Sequence, residues 1–154
     1  MPSVLLVGER CNTRYWRPRL VADDDLRVRA RVGAFRTLAS RSRLVACGLR
    51  WDAAMNLLWP EGQPPGPWDE RLARRVASLM LRESHDVYLL AGRRVARAFG
   101  LVDVTIPSLW RVQGKSLLVV PHPSGLNRLW NDPLVRARVQ ELWEEVTRVD
   151  TCVV

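Results

Sequence analysis

Four short apolar runs punctuate the chain, and each ends at a glycine or a proline. Val4–Val7 stops at Gly8, Ala53–Trp59 is broken by Pro60, Val87–Gly92 closes on its own glycine, and Ser116–Val120 stops at Pro121. Runs of this length that stay apolar at successive positions read as strands buried on both faces. Between them the period lengthens. Asp23, Asp24 and Asp25 supply helix-start chemistry. Leu26, Ala30, Val32 or Gly33, Phe35 and Leu38 then follow at the spacing of a helix of roughly four turns. Leu44–Cys47 is a further short apolar stretch before Gly48. A helix is predicted from about Trp68 to Ser84, with Leu72, Val76, Leu79 and Met80 on one face. A short one from Arg93 to Phe99 is closed by Gly100, and a last one runs from Asp132 to Val149. The segments Glu9–Arg19 and Pro60–Pro67 read as loops, the second because its prolines and glycines sustain neither regular structure.

Strands that alternate with helices predict an α/β protein, a three-layer αβα sandwich around a central, mostly parallel, four-stranded sheet. The length of 154 residues fits one domain, residues 1–154. In such sheets ligands bind beyond the carboxyl ends of the strands. The segment after Gly8, the residues around Asn56 and the loop after Val120 should therefore meet.

Composition narrows the function classes. No apolar run approaches the roughly 18 residues of a membrane span, and the first residues read as a strand rather than a signal peptide. The expectation is a cytoplasmic protein with no membrane partner. Cys11, Cys47 and Cys152 are scattered and form no C-x-x-C pair, which argues against a metal site or a disulfide framework. Lys and Arg total 24 against 16 acids, a net charge of +8 that suits a phosphate backbone. Only Lys115 among the 24 is a lysine, and an arginine bias of genomic origin accounts for the charge equally well.

The segment Pro121-His122-Pro123-Ser124-Gly125-Leu126-Asn127-Arg128 leaves a buried strand with a histidine and a serine held among prolines. Such a loop is stiff. On composition alone it is either a tight strand-to-helix turn or a site. Asn56 is a polar residue inside an apolar strand, and its amide offers both a donor and an acceptor. Glu9 follows the first strand and either pairs with an arginine or serves chemistry. Gly8-Glu9-Arg10 is neither G-x-G-x-x-G nor a P-loop, which argues against nucleotide phosphate cradling.

His122-Pro123-Ser124-Gly125-Leu126-Asn127-Arg128 resembles the H-P-S loop of the uracil-DNA glycosylase superfamily. Val4–Glu9, Met55–Leu58 and Leu89–Gly100 are similar to that family's first three strands and their edges. The resemblance covers about Val4 to Val149, and the H-P-S-G segment is its specific part. It implies a monofunctional DNA glycosylase that flips a pyrimidine out of double- or single-stranded DNA and hydrolyses its N-glycosidic bond. His122 would face the base carbonyl. Asn12, or else Glu9, would position the water, although Glu9-Arg10-Cys11-Asn12 departs from the family's usual versions of that loop. Asn56 would read the base edge, with Cys11 and Tyr15 nearby. Ser124, Gly125, Leu126, Asn127 and Arg128 would contact DNA, Leu126 filling the gap in the stack. No metal or cofactor is implied, and a monomer is expected. With no aromatic residue before Tyr15, the pocket has room for a 5-modified pyrimidine, and Arg10 or Arg14 is placed to meet a polar substituent. Two other functions keep the fold: excision of modified viral bases in antiviral defence, and a DNA-binding member without catalysis.

Overall fold

The computed structural model describes residues 1–10, 38–58, 67–123 and 127–148. The expected helix after Asp23 lies outside them, except for Leu38 at its end. Five strands form one sheet in the order β2-β1-β3-β5-β4. They are β1 (Val4–Arg10), β2 (Ala53–Leu58), β3 (Val87–Ala91), β4 (Ser108–Val112) and β5 (Lys115–Val120). The pairs β1–β2, β1–β3 and β3–β5 are parallel, and β4–β5 is antiparallel. The helices are α1 (Leu38–Ala46), α2 (Glu70–Met80), α3 (Arg93–Ala98) and α4 (Pro133–Thr147).

The pleat sorts the apolar residues into two cores. Leu5, Val7, Tyr88, Leu90, Leu117 and Val119 face one way, against Ala73, Ala77 and Met80 of α2 and Val95 and Ala96 of α3. Val4, Leu6, Val87, Leu89, Leu118 and Val120 face the other way, against Leu44 of α1 and Val139, Leu142 and Trp143 of α4. Helices therefore cover both faces, and the molecule is a three-layer αβα sandwich. All five residues of β3 are buried, which is why its sequence is an unbroken apolar run.

The sheet has one strand more than expected. Ser108–Val112 pairs antiparallel with β5 across the two-residue turn Gln113-Gly114. Both turn residues have positive φ, +50° and +75°, as a tight hairpin with primed-turn geometry requires. Two boundaries also move. β1 continues through Glu9 and Arg10, so Glu9 is a strand residue rather than the start of a loop. The apolar stretch that begins at Leu44 forms the end of α1. Side-chain caps fix two helix starts. Asp69 accepts from the Leu72 amide at 3.1 Å, and Asp132 accepts from the Leu134 amide at 2.9 Å with Pro133 in the first turn.

Candidate functional site

In the strand order β2-β1-β3-β5-β4 the chain first steps from β1 to one side and then crosses back over β1 to the other. In doubly wound sheets ligands bind in the crevice beyond the carboxyl ends of the strands at such a reversal, here those of β1 and β3. Glu9, Asn56, Gly92 and His122 all lie at this end, on β1, β2, the turn after β3 and the turn after β5.

Asn56 is 3% exposed and is the register partner of Gly8. Its neighbours Met55 and Leu57 belong to the α2/α3 core, so alternation turns Asn56 towards the α1/α4 layer. Gly8 adds no side chain of its own beside it. The Asn56 Nδ2 group has no hydrogen-bond acceptor among the described residues. Leaving a buried donor unmade costs about 1–3 kcal/mol. Native folds keep such a group where something else supplies the acceptor.

His122 sits between Pro121 and Pro123, both buried. Its backbone carbonyl accepts two hydrogen bonds, from Asn127 Nδ2 and from Trp130 Nε1, each at 3.0 Å. Asn127 also accepts from the Leu129 amide through Oδ1 at 3.1 Å, which caps the 3-10 turn Arg128–Asn131. Asn127 therefore braces this turn through both ends of its amide, and each end keeps capacity for one more hydrogen bond. Arg128 is exposed at the rim.

The turn after β3 makes room for the histidine. Gly92 has φ +100°, and a Cβ built on it would stand 3.2 Å from His122 Cβ and 3.5 Å from its ring carbon Cδ2. Only glycine satisfies both the backbone and this approach. The Gly92 amide also donates to the Val120 carbonyl at 2.9 Å, which ties the β3 turn to the end of β5.

Among the described residues, Glu9 and Arg94 bring charge to the crevice. Arg94 Nη1 lies 3.8 Å from Glu9 Oε2, and its guanidinium stands 5.9 Å from the centre of the Trp68 ring. The carboxylate therefore meets an arginine, and both charges also act on the imidazole. The His122 pKa lies below the ordinary histidine value of 6.5. Burial is the main cause, Glu9 opposes it, and Arg94 adds to it. The ring is neutral at pH 7, with one N–H to donate and one nitrogen to accept.

Of the residues singled out from sequence, Glu9, Asn56, His122, Asn127 and Arg128 are at this end of the sheet. Cys11, Asn12, Tyr15, Ser124, Gly125 and Leu126 lie outside the described residues, as do Arg14 and most of the arginine-rich segment. Three participants escaped the sequence reading: Gly92, Arg94 and Trp130. For Gly92 and Arg94 the available signal was the strand-glycine-helix junction Leu90-Ala91-Gly92-Arg93-Arg94 in a doubly wound chain. Nothing in the sequence pointed from Trp130 to the His122 carbonyl. No cluster of three metal-ligating side chains occurs among the described residues, and none of their helices is long and apolar enough to cross a membrane. Models of known protein families give no match to the chain, and no curated protein matches it.

Proposed function

We propose that this chain is a DNA glycosylase of the uracil-DNA glycosylase type, excising uracil or a 5-modified pyrimidine and leaving an abasic site. The observation that carries this reading is the buried Asn56 Nδ2 group on β2, without an acceptor among the described residues, on the other side of the switch point from β5 and the turn that bears His122. Three strand spacings of about 4.8 Å separate β2 from β5, roughly 14 Å in all. That span suits one flat ring held between the two side chains. The amide supplies a donor and an acceptor to the base edge, and a base with the wrong pattern leaves them unmet.

Glycosidic cleavage moves the bonding electrons onto the base while the sugar becomes oxocarbenium-like, and a water oxygen then bonds to the sugar carbon. A neutral imidazole N–H from His122, aimed at the base oxygen, stabilises the charge that develops there. The hydrogen bonds to the His122 carbonyl fix the backbone that carries the ring, and Gly92 leaves the room it occupies. Glu9 offsets positive charge on the sugar or orients the water, and Asn12 remains the other candidate for the water.

The monofunctional character is supported by the position of the single lysine. Lys115 begins β5 at the far end of the sheet, where its ammonium donates to the Glu83 and His85 carbonyls. An amine-dependent strand-cleaving reaction would need such a group at the crevice. The deciding experiment is an excision panel: uracil, 5-hydroxymethyluracil and glycosylated cytosine, in duplex and single strand, scored for abasic sites. Abasic sites on at least one of these are expected. DNA binding without abasic sites on any would leave a binding protein and end the glycosylase reading.

A further inference from the structure

Arg93 and Arg94 are consecutive in the first turn of α3, yet they serve different places. Arg94 turns to Glu9 at the crevice. Arg93 turns to a separate cavity of about 280 Å³ between α2, α3 and residues 101–104. Its lining brings together Arg74 of α2 with Arg93 and Arg97 of α3. One carboxylate, Asp103, shares the lining. Arg74 also meets Glu70 one turn away at 3.4 Å, an exposed pair of little strength. Arg93 is held in place because its Nη1 donates to the Val104 carbonyl at 2.8 Å. Its remaining N–H groups are not needed for that contact. No acidic partner meets Arg97 among the described residues. Three guanidinium groups against one carboxylate, around a concavity, form an arrangement that recognises a phosphate by charge and by planar two-point hydrogen bonding.

We propose that this cavity is a phosphate site that holds a backbone phosphodiester of the nucleic acid strand as it leaves the crevice. The inference deepens the glycosylase reading and rests on it for the identity of the ligand. The site adjoins the crevice through the Arg93–Arg94 pair, and it lies on the α2/α3 layer, whereas Trp130, beyond β5, packs with α4 on the other layer. The strand would thus be gripped on both sides of the extruded base. Phosphate contacts of this kind fix register without reading sequence.

The test measures binding of the full chain to a fluorescent duplex by anisotropy across a salt series. Arg74→Gln and Arg97→Gln are compared with Arg138→Gln, which removes an exposed charge from α4 on the other layer. Each cavity variant should bind roughly threefold to tenfold more weakly, and its log–log salt slope should be shallower by about 0.9. Arg138→Gln should change neither. Equal losses in all three variants would mean diffuse charge and overturn the site. No loss in the cavity variants would overturn it too, while excision by the wild type left the glycosylase reading intact. In a second arm, inorganic phosphate or a mononucleotide is added to the wild type at the ionic strength of a chloride control. Only weak competition is expected. Displacement of the duplex at micromolar levels would assign the cavity to a free phosphate compound instead. Failure of the wild type to bind any strand would end both readings.

Discussion

The two histidines of this chain stand at opposite ends of the same sheet, in opposite circumstances. At the amino end, His85 Nδ1 meets Ser3 Oγ at 2.9 Å, and Nε2 lies 3.7 Å from Glu83 Oε2. Its carbonyl accepts from Lys115 Nζ at 2.7 Å, and its ring stands edge-on to Tyr88. The Tyr88 phenol donates to the Met80 carbonyl, and burial, with Glu83 and Asp86, pushes its pKa up to about 12. It therefore stays a neutral donor. Asp52 and Asp86 accept from the Val4 and Ser3 amides. Polar groups here close upon one another, as the base of a fold requires. At the carboxyl end the buried Asn56 Nδ2 group has no acceptor among the described residues, and a histidine is fixed by its backbone while its ring feels two opposite charges. The comparison separates polar groups paired within the chain from a buried donor, Asn56 Nδ2, that has no acceptor among the described residues.

Exchanging the two histidines for alanine breaks that comparison most directly. His122→Ala should lower single-turnover excision by roughly 100- to 1000-fold, the scale for losing one preorganised donor to a developing anion. DNA affinity should change little. His85→Ala should leave excision intact and cost about 1 kcal/mol of stability, through its lost hydrogen bond to Ser3. The readouts are abasic-site formation with enzyme in excess and urea unfolding. Equal loss of excision in both variants would erase the distinction between the two ends.

A smaller effect, of unusual sign, is expected at Asn56. Asn56→Leu replaces a buried side chain whose Nδ2 donor is unmet with an apolar one of similar size. Stability should rise by about 1 kcal/mol, while excision falls because nothing then reads the base edge. A polar group kept only for the fold would behave in the opposite way, with stability lost on substitution. Thermal unfolding of the variant beside its excision rate distinguishes the two.

Much of this architecture was legible because β1, β2, β3 and β5 are buried on both faces, so their sequences stay apolar without a period. The caps were legible too: Asp132 before Pro133 marks the start of α4, and Gly100 follows α3 with φ +84°. The edge strand was not. Ser108-Leu109-Trp110-Arg111-Val112 is half-buried or exposed throughout and becomes a strand by pairing with β5 across Gln113-Gly114. The end of α1 was hidden because Leu44–Cys47 is too short to reveal a helical period. At the crevice, His122 and Asn56 could be found from residue type and strand position. Gly92 and Arg94 were signalled only by their strand-glycine-helix junction and Trp130 by nothing, since their contacts cross between elements distant in sequence. The bracing role of Asn127 was not legible either, since its partners, the His122 carbonyl and the Leu129 amide, are backbone groups.

The smallest predicted effect concerns pH. In the folded chain the His122 pKa lies below 6.5, mainly through burial, so between that lowered value and 6.5 the unfolded chain binds more protons. The stability contributed by keeping the ring neutral is complete above about pH 6.5 and is lost as pH falls through the folded value. Carboxylates add their own acid dependence further down. The useful window is therefore from pH 7.5 to about 5, ahead of most carboxylate titration. Urea unfolding in that window should show wild-type stability declining with acid, and His122→Asn should flatten the decline. A variant as acid-sensitive as the wild type would mean that the imidazole at the crevice is solvated like any surface ring. A flattened profile would tie the neutral form of His122 to the fold, and with it the protonation state in which the ring meets a base.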